Sequence, residues 1–270
     1  MKIILSRKGF DSKYGSMASP IMPDGTLLSF PIPSKEDKIK YSDLLYKDKT
    51  YLEIIRELKP LSKLKDNYKC HLDPDIRKEV MGRENTWRPL FGQADSAQVH
   101  LLNKGIKEGD LFLFFGTFKE SELFDGKYRF KKNAIEQHII FGYLQVGKIY
   151  NDIKSLPKDF NYHPHTEKKF LIKKNNCIYR AAEQLSILDY LKGAGCFQYD
   201  NQLILTKKGF SKSKWDLPDF FKKIEISRHS EKSFKEDYFQ SVALGQEIVI
   251  EENVYVTNWA KNIIKKGMKS

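Results

Sequence analysis

Two long runs of aromatic and β-branched residues constrain the fold of this chain more than any other feature. Residues 110–116 read DLFLFFG, and residues 138–150 read HIIFGYLQVGKIY. This composition is typical of buried strands, and a glycine inside such a run marks a bulge or a sharp bend. Gly116 and Gly142 occupy such positions. The two runs therefore predict curved β-strands.

Helix and strand signals are segregated along the chain rather than alternating. Residues 2–6 predict a short buried strand, and Thr50 with Glu53 predicts a capping box for a helix that ends at Pro60. Segregation favours an α+β fold. We expect one compact domain over residues 1–270, with a strongly curved or barrel-like mixed sheet and flanking helices. Further strands are predicted at 26–30, 169–173 and 202–206, further helices at 95–104, 180–192, 231–244 and 256–265, and a loop at 151–167.

The charge of the chain indicates a polyanionic partner. Its 270 residues carry a formal net charge of +12, which favours a nucleotide or a nucleic acid, with DNA preferred. Lysine outnumbers arginine by 39 to 8, a ratio that codon bias alone can also produce. Residues 206–235 combine an excess of cations with aromatic residues. This stretch either contacts a nucleic-acid strand or forms a solvated face with inward aromatics.

Signals of a membrane or secreted protein are missing from the sequence. The longest apolar stretch, residues 111–115, is far shorter than the roughly 18–20 residues that cross a bilayer. Charged residues at positions 7 and 8 interrupt the N-terminal apolar run, and the three cysteines match no disulfide or zinc pattern. We expect a cytoplasmic location and no membrane partner.

A glycine-punctuated loop after the first predicted strand is the first candidate site. Arg7 and Lys8 supply cations, Asp11 a carboxylate and Ser12 a hydroxyl, while backbone amides beside the glycines can approach a phosphate. The P-loop pattern GxxxxGK[ST] is missing. An anion site and an ordinary turn both fit these residues. We assign Asp11 to catalysis and the other three to substrate binding.

The segment HLDPD at 71–75 concentrates one imidazole and two carboxylates. In an extended segment, residues two apart share a face, so His71, Asp73 and Asp75 would converge on a metal ion, a base or a sugar. Close carboxylates also move one pKa upward, which provides an acid and a base at one pH. The structural alternative is that Asp75 caps a helix and Asp73 makes a turn. We expect catalytic roles for all three, with a divalent metal as the candidate cofactor.

An arginine flanked by aromatic residues is the third candidate. Arg88 can bind a phosphate, Gln93 can bond a base edge, and Trp87 or Phe91 can stack on the base. Buried aromatics that support a loop explain the same residues. His100, in the helix that follows, either faces the same pocket or is a structural histidine. We assign all five to substrate binding.

Motifs spread over almost the whole chain carry a family resemblance. They are KIILSRKGFD at 2–11, SPIMPDG at 19–25 leading to PIP at 31–33, HLDPD at 71–75, RPLFGQ at 88–93, GDLFLFFG at 109–116, GQE at 245–247 and Trp259. Together they resemble the nucleotide modification associated domain family, type three, which implies a role beside systems that modify bases in DNA. Asp110 and strands at 109–115 and 142–146 are similar to PUA-like barrels, which include readers of modified bases.

These residues predict a nucleotide- or nucleic-acid-binding protein of a base-modification system, with an enzymatic site. Arginines would bind phosphate, an aromatic ring would stack on the base, and the carboxylates with His71 would supply acid–base or metal chemistry. An enzyme that acts on duplex DNA must also flip the base. One alternative is a non-catalytic reader with a PUA-like pocket, and another is a scaffold whose motifs only build turns.

Overall fold

The chain consists mainly of short strands, with two that are much longer. The computed structural model describes residues 1–60, 64–242 and 247–268. Its strands are β1 (Ile3–Arg7), β2 (Ser19–Ile21), β3 (Ile32–Pro33), β4 (Leu45–Tyr46), β5 (Lys49–Thr50), β6 (Cys70–His71), β7 (Leu90–Gln93), β8 (Leu111–Phe124), β9 (Lys127–Phe130), β10 (Gln137–Tyr150), β11 (Cys177–Ala181), β12 (Gln184–Leu185), β13 (Leu188–Lys192), β14 (Ala194–Cys196), β15 (Lys214–Trp215), β16 (Phe239–Gln240) and β17 (Glu247–Ile250). Its α-helices are α1 (Tyr51–Leu58), α2 (Asp95–Asn103), α3 (Lys168–Leu171) and α4 (Val254–Gly267). Within the described ranges, none of these helices has the length and apolar composition that a bilayer crossing needs.

The two aromatic runs form the long strands β8 and β10, which pair antiparallel in a nine-stranded mixed sheet. On its other edge β8 is parallel to β1. The register between β8 and β10 shifts from Ile140 to Gly142, so the irregularity predicted at Gly142 is confirmed. At Gly116, a Cβ would stand 2.7 Å from the backbone oxygen of Lys8. This glycine allows the chain after β1 to lie directly on β8.

The sheet is open rather than closed. Its main path runs β17-β1-β8-β10-β11-β7, with β14 on β10 and with β2 and β9 on β8. No backbone ladder joins β17 to β7 in the described part of the chain, so the α+β class is confirmed and the expected barrel-like closure is not supported. One side-chain contact connects these outer strands, because the Gln93 amide donates to Glu247 Oε1 at 2.7 Å.

Two apolar clusters form most of the core. In the larger one, the Phe91 ring of β7 packs edge-on against Phe112 and Phe114 of β8, with centroids 4.9 and 5.2 Å away. The second cluster packs α1 beneath the loops that lead to β6. Helix α1 begins with the predicted capping box, in which Thr50 and Glu53 exchange hydrogen bonds. The predicted helices at 95–104 and 256–265 are confirmed as α2 and α4.

Several predictions for the second half of the chain are wrong. Residues 180–192 do not form the predicted helix; they form the end of β11 and the strands β12 and β13. The helix predicted at 231–244 is replaced by a 3-10 turn and β16, and residues 243 and 244 lie outside the described ranges. The strand predicted at 169–173 overlaps α3, and neither 26–30 nor 202–206 forms a strand. Short apolar runs fit helix and strand alike. Around β11, pairing with β7 and β10 overrides helical propensity.

The lysine-rich stretch 206–235 turns its largest aromatic residues inward. Trp215 and Phe221 are fully buried. At the surface, Lys212 pairs with Glu136. Trp215 and Phe221 are therefore unavailable as stacking partners, whereas Phe210, Phe220 and Phe234 are half-buried.

Candidate functional site

A cavity of about 620 Å³ opens beside the end of β1. It is also lined by β6, the end of β7, the start of α2 and the region of α3. The volume lies within the range of small-molecule sites. Five cations and three carboxylates are among the described residues of its wall. Six of the twelve predicted site residues line it, namely Arg7, Lys8, Asp11, His71, Asp73 and Gln93.

His71 reaches the cavity from β6 and is oriented by a buried carboxylate. Its Nδ1 lies 2.9 Å from Oδ2 of Asp37. Burial opposes ionisation of Asp37, but the hydrogen bond and charge of His71, helped by Lys169, lower its pKa to about 2. Asp37 is therefore a carboxylate that accepts the Nδ1 proton. The second ring nitrogen, Nε2, is left for chemistry.

Asp73 places its carboxylate beside two donors. The Gly92 N–H donates to Oδ1 at 2.7 Å, and Nε2 of His163 lies 3.4 Å from the same oxygen. Burial raises the pKa of Asp73, but the contact with His163 and neighbouring positive charges outweigh burial and hold the pKa well below its usual value. Asp73 is thus ionised. Its Oδ2 has no hydrogen-bond partner among the described residues.

His165 and Phe170 complete this wall, and sequence reasoning missed both. Nδ1 of His165 lies 2.7 Å from the Asn176 side-chain oxygen. The Phe170 ring stacks on His165 and His71, with centroids 4.1 and 5.2 Å away. Burial lowers the pKa of His165 to about 3, so this ring is neutral at physiological pH. The sequence signal was the motif HPH at 163–165, which holds two of the six histidines.

Two arginines form a cationic part of the cavity wall. Neither the Arg7 nor the Arg228 side chain makes a hydrogen bond or an ion pair with any residue that the structure describes. Arg228 adopts a left-handed backbone conformation with φ of +64°, which is uncommon outside glycine. Strained residues of this kind cluster at functional sites. Sequence reasoning did not select Arg228, because it is remote in the chain from the other candidates.

The first turn of α2 also faces the cavity. The helix follows Ala94, which supplies no side-chain cap. The N–H groups of Ser96 and Ala97 have no acceptor within the described ranges. Lys173 reaches this turn and pairs with Asp95 at 2.7 Å. Open amides at a helix N-terminus are suited to an anion.

A family model described as nucleotide modification associated domain 3 matches residues 2–251. The chain belongs to this family. No curated protein and no solved structure matches it. The match includes every cavity-lining residue named above, whereas α4 lies beyond it. The family description associates the chain with nucleotide modification and confirms the resemblance read from the motifs.

In this nucleotide modification associated domain, Lys8 and Gln93 are engaged with a buried glutamate. Glu247 Oε1 accepts from Gln93 at 2.7 Å and from Lys8 at 3.1 Å. The Lys8 ammonium also lies 4.4 Å from the centre of the Phe91 ring, a cation–π distance. Phe91 is buried in the core, so it supports Lys8 instead of lining the cavity. Of the GQE motif, Gly245 and Gln246 lie outside the described residues.

The predicted convergence of HLDPD on one point does not extend to Asp75. A hydrogen bond of 2.8 Å from the Asp73 N–H to the His71 carbonyl makes a tight turn, which ends the alternation of an extended segment. The Asp75 carboxylate is buried away from the cavity, paired with Arg83, and accepts from the Tyr162 hydroxyl at 2.8 Å. These contacts give Asp75 a structural role.

Four other predicted residues also lie outside the cavity. Trp87 and Arg88 line a separate groove of about 830 Å³, where Arg88 pairs with Glu183 at the surface. Ser12 is exposed. His100 contacts the Ser227 hydroxyl through Nε2 at 3.0 Å.

Asp11 lies at the rim of the cavity and closes its own loop. Its carboxylate accepts from the N–H groups of Lys13 and Tyr14, both at 2.8 Å. This is the turn chemistry that the sequence offered as an alternative. Asp11 therefore shapes the rim next to Arg7.

Within the described part of the chain, His71, Asp73 and His165 form a group that could hold a metal ion. Each offers one ligand atom, and the three atoms lie within 4.8 Å of one another. Two imidazoles and one carboxylate are a donor set that transition metals use. The structure therefore brings together two members of the predicted trio and replaces the third, Asp75, by His165.

Proposed function

We propose that the cavity binds a nucleotide unit and that the chain is an enzyme acting on it within a base-modification system. The observation that carries the proposal is the meeting of two chemistries in one cavity: unpaired arginines with open helix amides, and an imidazole–carboxylate cluster. The first suits a phosphate, and the second suits a reaction at a base or a sugar. Membership of the nucleotide modification associated domain 3 family supports a nucleotide as the ligand.

The phosphate would lie between Arg7, Arg228 and the first turn of α2. A guanidinium fork matches phosphate oxygens, and a helix N-terminus adds backbone donors and a favourable dipole. Lys8 contributes less, because Glu247 and Phe91 already hold its ammonium. In this arrangement the cations orient the nucleotide and take no part in bond making.

The base would lie against an aromatic ring of the cavity. Tyr14 lines the cavity and is 39% exposed, so its face is accessible for stacking. Phe170 lines the same cavity from α3, beside His71 and His165. These two rings replace Trp87 and Phe91 as candidate stacking partners.

In the metal-free protein, His71 and Asp73 would carry out proton transfer. With Nδ1 held by Asp37, His71 can take or deliver a proton through Nε2, while the Asp37 carboxylate stabilises the imidazolium. Asp73 offers Oδ2 as a second acceptor. An imidazole and a carboxylate in one cavity allow an acid and a base to act on one substrate.

Calorimetric titration with nucleoside mono-, di- and triphosphates and with short DNA oligonucleotides tests the binding step. We expect Arg7→Gln and Arg228→Gln each to weaken binding by about 10- to 100-fold, the usual cost of a lost charged hydrogen bond. Arg88→Gln is the matched control, because Arg88 lies outside the cavity and should leave affinity unchanged. Absence of binding by every compound, or an equal loss in the control, would contradict the proposal.

Mass spectrometry of nucleotides and digested DNA tests catalysis. We expect the chain to change the mass of a bound nucleotide or base, and Asp73→Asn to abolish this change while affinity is retained. Asparagine keeps an oxygen for the Gly92 N–H, so the melting temperature should fall by only a few degrees. A chain that binds but converts nothing, with or without Asp73, is a reader of modified bases rather than an enzyme.

A further inference from the structure

The cluster of His71, Asp73 and His165 has the composition and placement of a metal site. We propose that these three residues hold a divalent transition-metal ion, of the kind of Zn²⁺ or Fe²⁺, with open coordination positions that face the cavity. Their ligand atoms lie within 4.8 Å of one another. Metal–ligand bonds of about 2.1 Å separate neighbouring ligands by about 3.0–3.5 Å. The three atoms therefore need adjustments of only about an ångström.

Each histidine is oriented by a partner on its remote nitrogen. Nδ1 of His71 contacts the Asp37 carboxylate at 2.9 Å, and Nδ1 of His165 contacts the Asn176 oxygen at 2.7 Å. A proton on Nδ1 leaves a lone pair on Nε2, the form that binds a metal. Asn176 is itself fixed, because its amide donates to the His165 carbonyl at 2.8 Å. Such outer partners are the usual support of ligating histidines.

The carboxylate is oriented in the same way. Asp73 Oδ1 accepts from the Gly92 N–H at 2.7 Å. The backbone N–H of His165 donates to Nδ1 of His163 at 3.3 Å. The proton of the neutral His163 ring is therefore on Nε2, which lies 3.4 Å from Asp73 Oδ1. The Gly92 hydrogen bond and the His163 contact both lie on Oδ1, which leaves Oδ2 for the ion. Each of the three ligands is held by an outer partner, and no hydrogen bond joins one ligand to another. This arrangement is typical of a site built around a cation.

The surroundings leave one side of the cluster open. The Phe170 ring covers both imidazoles, while all three ligands line the cavity. Three protein ligands with open positions are the pattern of catalytic zinc and of non-haem ferrous sites. Imidazole ligands also select against Mg²⁺ and Ca²⁺, which prefer oxygen. The ion would lie where the nucleotide of the proposed function enters, and its binding does not depend on that function. A bound ion would occupy Nε2 of His71 and Oδ2 of Asp73, so it would act as a Lewis acid in place of proton transfer by these two atoms.

Titration of the EDTA-treated and desalted full chain with Zn²⁺, Co²⁺ and Mg²⁺, without nucleotide, tests the site. We expect one Zn²⁺ per chain, and Mg²⁺ weaker by at least about 100-fold. His71→Gln and His165→Gln should each weaken Zn²⁺ binding by about 100-fold or more. Asp37→Asn, which changes only an outer partner, should weaken it by about 10- to 100-fold. Co²⁺ should give visible absorption bands that disappear in both histidine variants.

His100→Gln is the control, because His100 contacts Ser227 outside the cavity and should leave metal affinity unchanged. Circular dichroism checks each fold; should His165→Gln fail to fold, His71→Gln and Asp73→Asn report on the same site. Failure to bind Zn²⁺ or Co²⁺, equal affinity for Mg²⁺, or unchanged affinity in the folded variants overturns the metal site. Such a result leaves nucleotide binding to be judged by its own titration, so the two proposals fail separately.

Discussion

Gly92 shows how one missing side chain shapes the candidate site. A Cβ at this position would stand 2.3 Å from a ring carbon of His165, while its N–H holds Asp73. We expect Gly92→Ala to displace the His165 ring and to lower the free energy of unfolding by about 1–3 kcal/mol, the cost of overpacking. The same displacement should weaken Zn²⁺ binding. Chemical denaturation and calorimetry measure the two effects.

Gly82 provides the matched control for Gly92. Apart from its own chain neighbours, no atom of the residues that the structure describes lies within 4 Å of a Cβ added there. Gly82→Ala should therefore change stability by less than about 0.5 kcal/mol and leave metal affinity intact. If both alanine variants behave alike, close contact with His165 is not the reason for a glycine at position 92.

His138 makes the stability of the chain depend on pH. Burial, with the charges of Arg7 and Lys212, lowers its pKa to about 3. Below about pH 6.5 the unfolded chain protonates this histidine and the folded chain does not, so the folded state loses stability as pH falls from 6.5 towards 3. Between pH 7 and 4.5 we expect a loss of up to roughly 3 kcal/mol from this residue.

Comparison with His138→Gln isolates this effect, because the carboxylates common to both proteins cancel. Glutamine can still accept the hydrogen bond that Trp215 donates to His138 at 3.1 Å. The variant should be less stable at pH 7 and lose less stability on acidification, as measured by urea denaturation at each pH. An identical pH profile in both proteins would rule out His138 as the source.

At the residue scale, local chemistry predicted part of the candidate site. His71 and Asp73 lie in one short motif, and Arg7 follows a recognisable strand, so each could be selected from its neighbours in sequence. Arg228 could not, because only the packing of distant segments brings it to the cavity. His165 has a local signal in the motif HPH, but its place in the cavity also depends on packing. Asp75 was misplaced because the extended geometry assumed for its motif is interrupted by the turn at Asp73.

Helix α1 is the element that the sequence specified most completely. The Thr50 hydroxyl accepts from the Glu53 N–H at 3.2 Å, and the Glu53 carboxylate accepts from the Thr50 N–H at 2.7 Å. We expect Thr50→Ala to lower the free energy of unfolding by about 1 kcal/mol. Thr257→Ala in the interior of α4 is the control and should cost nothing, since alanine is the better helix former. Equal losses in both variants would contradict the cap.

At the element scale, prediction succeeded where local signals suffice. The cap of α1 and the aromatic runs of β8 and β10 depend only on residues that are neighbours in sequence, and the structure contains these elements as predicted. The hairpin of β12 and β13 was not, because residues 180–192 have a helical pattern. In the structure β12 and β13 pair with each other in a separate two-stranded sheet, with Leu185 and Leu188 packed into the core. The open edge of the sheet was also beyond prediction, since closure depends on the pairing of β7 and β17.

For the whole molecule, the net charge of +12 does not by itself define a nucleic-acid surface. In the lysine-rich stretch, Lys212 and Lys222 have acidic partners, and Trp215 and Phe221 are buried. Among the described residues that line the cavity, Arg7 and Arg228 are the cations whose side chains have no partner. Attraction over long range can still raise the rate of encounter with any polyanion.

This distribution of charge predicts a shallow dependence of DNA affinity on salt. With Arg7 and Arg228 as the phosphate contacts, the logarithm of affinity for single-stranded DNA should fall with the logarithm of salt concentration at a slope of about −1.4. Arg228→Gln should reduce the slope by about 0.7, and Lys222→Gln should leave it unchanged. Fluorescence anisotropy at several salt concentrations measures the slope. A slope steeper than about −5 would mean that many basic residues over a broad surface contact the DNA. The cavity would then supply only a small part of the phosphate contacts, contrary to this prediction.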